Sequence, residues 1–233
     1  MRQHAPAAGS IAEIDQGLRS YMLGVYNYMT LGVALTGIVA FFTANSPALL
    51  QAIYGTPLQW VVMLAPLGFV LALSFGINRL SLGTAQLLYW AFAAVMGLSL
   101  AAIFLVYTPV SITRVFLITA MTFGAMSIYG YSTSRDLTSW GSFLFMGLIG
   151  IILAMIVNWW LQSAMLDFVV SGIGVLVFVG LTAYDTQRIK MTYYSGIDGE
   201  ALAKSAVFGA LSLYLDFINL FLMLLRLFGG QRD

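Results

Sequence analysis

Cysteine is absent from this chain of 233 residues, and histidine occurs once, as His4. The first absence excludes disulfides, thiol catalysis and thiolate metal sites. The second removes histidine-based acid–base chemistry and most zinc sites, because His4 lies in the polar amino-terminal stretch. Charge is scarce as well: Asp, Glu, Lys and Arg make up 8% of the residues, and the net charge is +1. Nothing in that balance points to nucleic acid or to an acidic partner. The chain is filled instead with apolar residues, 61% of the total, and its mean hydropathy is +0.92. Such a composition belongs to an integral membrane protein.

A helix needs roughly 20 apolar residues to cross a hydrocarbon core about 30 Å thick. Seven runs meet this requirement, near Met22–Ala44, Leu58–Ile77, Thr84–Tyr107, Ile112–Tyr131, Trp140–Trp160, Leu166–Tyr184 and Ser205–Phe228. They lack the period-2 alternation of a membrane barrel, so helices are the form expected. The first run is longer than a secretory h-region and reads as a retained span. The fold class predicted is an all-α seven-helix transmembrane bundle over residues 21–229, with a cytoplasmic tail at 1–20 and a short tail at 230–233. Tyr54, Trp60, Tyr107, Tyr131, Trp140, Trp159, Trp160 and Tyr184 mark run ends, as an aromatic belt does. With the amino terminus inside, Arg2, Arg19, Arg79, Arg135, Arg188, Lys190 and Lys204 face the cytoplasm. Arg114, Arg226 and Arg232 then face outward, so the positive-inside rule favours this orientation. The seventh run carries Asp216, Asn219 and Arg226, and a re-entrant path that leaves both termini inside stays open. Thr192–Glu200 reads as a plain cytoplasmic loop, and Asp167 as a helix cap.

Two aspartates carry the functional signal. Asp185 ends the sixth run, and Asp216 lies within the seventh. Ionisable groups at membrane depth are costly, so they face a bundle interior or a watery cavity and mark a pathway. A long loop or a partly unwound sixth helix would bring the two together. Ser212, Asp216, Asn219 and Met223 follow i, i+4, i+7, i+11 and share one helix face. Two carboxyls a few Å apart cannot both ionise cheaply, so they share a proton and titrate as a unit. That makes a pH sensor without histidine. Their oxygens are also hard ligands suited to weak, transient Ca²⁺ binding, although two aspartates fall short of the six to eight oxygens of a tight site. A cation should balance the pair when ionised: Arg79 is the first candidate and Arg226 the second. Arg188 and Lys190 read as positive-inside charges. Tyr184, beside Asp185, completes the polar set.

At these residues the sequence resembles the Bax inhibitor family of membrane proteins. The resemblance rests on Leu-Ser-Leu-Tyr-Leu-Asp-Phe-Ile-Asn-Leu-Phe at 211–221, Gly-Leu-Thr-Ala-Tyr-Asp-Thr-Gln at 180–187, Gly-Ala-Met-Ser-Ile-Tyr-Gly-Tyr at 124–131, and Arg135-Asp136-Leu137. It runs from about Arg19 to Gly229. It implies a bundle with the seventh helix central and six around it, and a pH-dependent Ca²⁺ leak channel. By the same resemblance Asp185 and Asp216 are the proton sensor, and Arg79 is the basic residue that locks onto it in the closed form. The short polar head looks like bacterial members, which implies a bacterial inner membrane.

Two other readings compete. The first is a non-transporting regulator that binds a membrane protease or another membrane protein. The second is an intramembrane enzyme, which has little support. A rhomboid-like site needs a membrane-embedded His. The aspartyl type is met only by Tyr184-Asp185, with no Gly before Asp216. A retinal protein would need a mid-helix Lys. The expectation is therefore a protein that is not an enzyme and has no tightly bound cofactor. Its partners are the lipid bilayer, protons, the permeating Ca²⁺ and a membrane-protein partner, with no nucleic acid.

Overall fold

The computed structural model describes residues 8–76, 79–194 and 199–232. Nine helices occur among them: α1 (Ala8–Ala44), α2 (Pro47–Tyr54), α3 (Leu58–Gly76), α4 (Leu82–Leu100), α5 (Ile103–Val106), α6 (Pro109–Ser132), α7 (Thr138–Leu161), α8 (Ala164–Tyr194) and α9 (Gly199–Phe228). Seven segments are long and apolar enough to cross a membrane, with α4 and α5 counted as one. They coincide with the seven predicted runs. The chain is an all-α, multi-pass integral membrane protein. The helix ends follow local chemistry. Ser46, Ser81 and Thr108 accept a hydrogen bond from the backbone N–H three residues on, which caps α2, α4 and α6, and Pro47 and Pro109 begin two of them. At α8 the cap is Ser163, whose hydroxyl accepts from Leu166 N at 3.3 Å, and not Asp167 as expected.

The seventh span is the axis of the bundle. Within its most apolar window 72% of residues are buried, against 17–33% in the other six. It packs against α8, α1, α6 and α4. The outer helices turn apolar side chains such as Phe75 and Trp160 outward, the pattern for a surface solvated by lipid.

The path of α9 follows from contacts at its two ends. At the start, Glu200 accepts from Leu82 N at 3.1 Å and Lys204 Nζ donates to Leu80 O at 3.2 Å, in the turn between α3 and α4. At the finish, Thr108 N donates to Gly230 O at 3.0 Å and Arg232 N to Val106 O at 2.9 Å, beside the turn between α5 and α6. The span 82–106 separates these two turns. Helix α9 therefore crosses the bundle from face to face, and the re-entrant alternative is excluded. Its 30 residues reach about 45 Å at 1.5 Å per residue.

The loop boundaries move outward from the predicted ones. Helix α1 already runs from Ala8, inside the expected 1–20 tail. Helix α8 continues ten residues past Tyr184 to Tyr194, so Thr192–Tyr194 is helix; residues 195–198 lie outside the described set. Both extensions are polar, and a hydropathy criterion cuts a helix where it leaves the hydrocarbon.

Small residues decide the closest helix approach. A Cβ on Gly130 of α6 would run into the backbone carbonyl of Ala183 on α8, which cannot yield as a side chain would. Gly130→Val is expected to cost about 1–3 kcal/mol by overpacking. Gly150→Ala, where a Cβ meets nothing within 4 Å, is expected to be neutral or slightly stabilising. Thermal unfolding of both variants in detergent checks this, and equal melting temperatures would sink it.

Candidate functional site

Helices α8 and α9 carry the two aspartates, and neither helix unwinds to bring them together. Because α8 stays wound beyond Asp185 for about 14 Å at 1.5 Å per residue, this residue sits within the bundle and not at a helix end. The Asp185 and Asp216 carboxyls come within hydrogen-bonding reach of each other. Two carboxyls so placed can bond to each other only when one of them carries a proton to donate. Asp216 is 5% exposed, and its Oδ2 is buried without a hydrogen-bond partner among the described residues. Asp185 is more open, with its side chain 14% exposed. The dyad thus has a sealed member and a member that faces outward.

The cation beside the dyad is Arg188. Its Nη1 lies 3.6 Å from Asp185 Oδ1, one helical turn along α8. Arg79, the expected partner, is exposed in the turn before α4 and forms no ion pair among the described residues. Arg226, the second candidate, pairs with Asp167 at 3.5 Å near the carboxyl end of α9, the opposite end from Lys204. The i, i+3 spacing of Asp185 and Arg188 would have revealed the pair had α8 been read as continuing past Tyr184.

The remaining members of the polar set are placed as follows. Asn219 is half-buried and donates through Nδ2 to Leu215 O at 2.8 Å within its own helix. Ser212 is half-buried on α9. The Tyr184 ring occupies the space that Gly141 leaves on α7. Thr186, next to Asp185, bonds to Ser127 of α6 at 3.2 Å and ties the α8 wall in place.

Gln187 is a member that sequence reasoning missed. Its Oε1 accepts from Leu137 N at 2.8 Å, and its Nε2 donates to Arg135 O at 2.8 Å. The side chain clamps the exposed Arg135-Asp136-Leu137 turn onto α8, two residues from Asp185. Asp136 Oδ1 accepts from Thr138 N at 2.8 Å. Hydrogen bonds from Thr138, first from its side chain, hold the Asp136 carboxyl below the usual carboxylate range. Lys190 Nζ donates to Tyr131 O at 2.8 Å on the same face. Among these groups lies a cavity of about 530 Å³, lined in part by Arg135, Asp136, Tyr184, Gln187, Arg188 and Lys190. It places polar surface at Arg188 and so one turn from the dyad.

This arrangement can hold a shared proton between two carboxyls, with a movable guanidinium next to the outer one. As metal ligands the pair offers hard oxygens, but no group of three or more His, Asp or Glu side chains gathers among the described residues. That set is too small for tight Ca²⁺ coordination.

Comparison with known proteins agrees with the motifs. The family described as inhibitor of apoptosis-promoting Bax1 matches residues 18–233. A protein of Rickettsia prowazekii is 50% identical over 219 residues, 94% of this chain and 93% of its own. The inner membrane protein YbhL of Escherichia coli strain K12 is 48% identical over 230 residues, 97% of this chain and 98% of its own. A protein of Caulobacter vibrioides is 46% identical over 238 residues, 98% of this chain and 95% of its own.

Proposed function

We propose that this chain, which belongs to the Bax inhibitor family of membrane proteins, is a pH-dependent leak for Ca²⁺ and not an enzyme. The observation that carries the proposal is the pair of neighbouring carboxyls Asp185 and Asp216 inside the bundle, with Arg188 beside the outer one. With one proton on the pair, Asp185 is the ionised member and attracts Arg188, which closes the polar face. A second proton removes the charge, Arg188 is released, and the population shifts toward the open form. Flux then rises as pH falls. Ca²⁺ passes as a weakly held cargo, as conduction requires. The positive-inside distribution supports a cytoplasmic location for the α3–α4, α6–α7 and α8–α9 turns. The likeness to an inner membrane protein of Escherichia coli supports a bacterial inner membrane as the location.

The test is Ca²⁺ flux through the pure protein in liposomes over about pH 6 to 8. No flux at any pH would overturn the proposal. The same assay ranks the cations. Arg188 is half in solvent, its side chain being 54% exposed, so its ion pair is worth about 0–1 kcal/mol. Arg188→Gln is therefore expected to raise flux at the upper end of the range by up to about fivefold. Arg79→Gln should leave it unchanged. The reverse order would return the lock to Arg79.

A further inference from the structure

Helices α1 and α6 both pack on α9, yet they share no packed interface of their own. Between them runs an apolar furrow of about 820 Å³, with the buried ring of Phe217 from α9 at its floor. We infer that this furrow is a binding site for one acyl chain of an anionic phospholipid, with its headgroup on Arg19.

Four observations carry this. First, the chemistry is divided by position: Arg19 and the Tyr131–Ser132 end of α6 lie at one mouth, while Met29, Val33, Phe116 and Phe123 line the interior. A cation at the interface with an apolar slot below it complements an anionic amphiphile. Second, the length fits. From Arg19 to Ala34 the furrow follows α1 for about 22 Å at 1.5 Å per residue, longer than half of a hydrocarbon core of about 30 Å. Third, the furrow continues toward the other face through a smaller cavity of about 90 Å³ that shares Val33, Phe116 and Phe217 with it. Fourth, the slot is kept open by a residue without a side chain. A Cβ on Gly124 would meet nothing within 4 Å, so no neighbouring side chain fills that space.

The occupant would lie close to the polar site. Phe217 follows Asp216, and Ser127 on the furrow wall holds Thr186, which follows Asp185.

The experiment is native mass spectrometry of the full chain, released from bilayers that contain equal parts of phosphatidylglycerol and phosphatidylethanolamine. The expected result is one retained lipid per chain, with phosphatidylglycerol in excess. Gly124→Phe, which fills the slot, should reduce retention at least about fivefold while the melting temperature stays near that of the parent, because the added ring enters open space. Arg19→Gln should keep a lipid but lose the preference for the anionic head. Arg135→Gln removes a positive charge on the same face outside the furrow and should change neither. Retention without headgroup preference, or equal retention in Gly124→Phe, would overturn the inference. So would a dimer that Gly124→Phe dissolves, which would assign the furrow to a second copy. The assay reads lipid and not flux, so the ion-leak proposal can fail while this one stands, and the reverse.

Discussion

Asp185→Asn and Asp216→Asn should both flatten the pH response of Ca²⁺ flux, but at opposite levels. The wild-type response has an upper bound. One coupled proton changes an equilibrium by at most about tenfold per pH unit, but release of an ion pair worth about 0–1 kcal/mol limits the whole response to about fivefold. The sign follows from geometry. Protonation cancels the charge on Asp185, the carboxylate that lies 3.6 Å from Arg188. Flux is therefore greatest at low pH. In Asp216→Asn the amide can donate to Asp185 as a protonated Asp216 would, so Asp185 keeps its charge and its arginine. The remaining carboxylate no longer shares a proton with a second one, and the protein should stay near its low plateau throughout. In Asp185→Asn the guanidinium loses its only observed carboxylate among the described residues, and flux should stay near the high plateau. Both curves are read in the same liposomes over about pH 6 to 8. If either variant kept the parent slope, or if the plateaus were exchanged, the assignment of Asp185 as the member that engages the lock would fail.

Much of the bundle could be read before any coordinates. The runs were unambiguous because lipid forces every backbone group into an internal hydrogen bond, so long apolar segments have one outcome. The centrality of α9 was implied by family resemblance, and it is visible in the buried Asp216, Leu213 and Leu220. Boundaries were less legible. The end of α8 was placed at Tyr184 because polar residues begin there, yet helix propensity and the clamp made by Gln187 carry the helix on to Tyr194.

That error propagated to the site. With Asp185 at a helix end, its neighbours in sequence look like loop charges, and the expected cation is Arg79, which lies in the turn between α3 and α4. With Asp185 inside a helix, Arg188 falls one turn away and meets it. The dyad itself was legible from the rarity of carboxylates within apolar runs. The furrow between α1 and α6 was not, since it depends on which outer helices fail to touch. No pattern along a single helix encodes that.

Tyr214→Ala should be the most destabilising substitution on the central helix, because this side chain is the point where α9 is held to α1 and α4 together. Tyr214 is 0% exposed. Its ring lies edge-on to Phe92 at 5.0 Å and to Tyr89 at 6.5 Å. Its hydroxyl is 2.6 Å from Thr36 Oγ1, and Thr36 donates its single hydroxyl proton to Ala93 O at 2.8 Å. Tyr214 must therefore be the donor to Thr36. Truncation to Ala removes a large aromatic from a packed core and leaves a cavity, which costs about 3–5 kcal/mol. It also leaves Thr36 with an unused acceptor. Tyr214→Phe keeps the ring and removes only the hydrogen bond, at about 0.5–1.5 kcal/mol. Thr36 keeps its bond to Ala93 O and loses only a donor to its oxygen, and interhelical bonds in membrane bundles average about 0.6 kcal/mol, which places the effect toward the lower part of that range. Thermal unfolding of the parent and both variants in one detergent separates the two contributions. Equal losses in Tyr214→Phe and Tyr214→Ala would show that the hydrogen bond, and not the ring, anchors the helix. A small loss in both would mean that α9 is held chiefly by its long contact with α8, and that the α1–α4 side of the bundle can loosen without unfolding it.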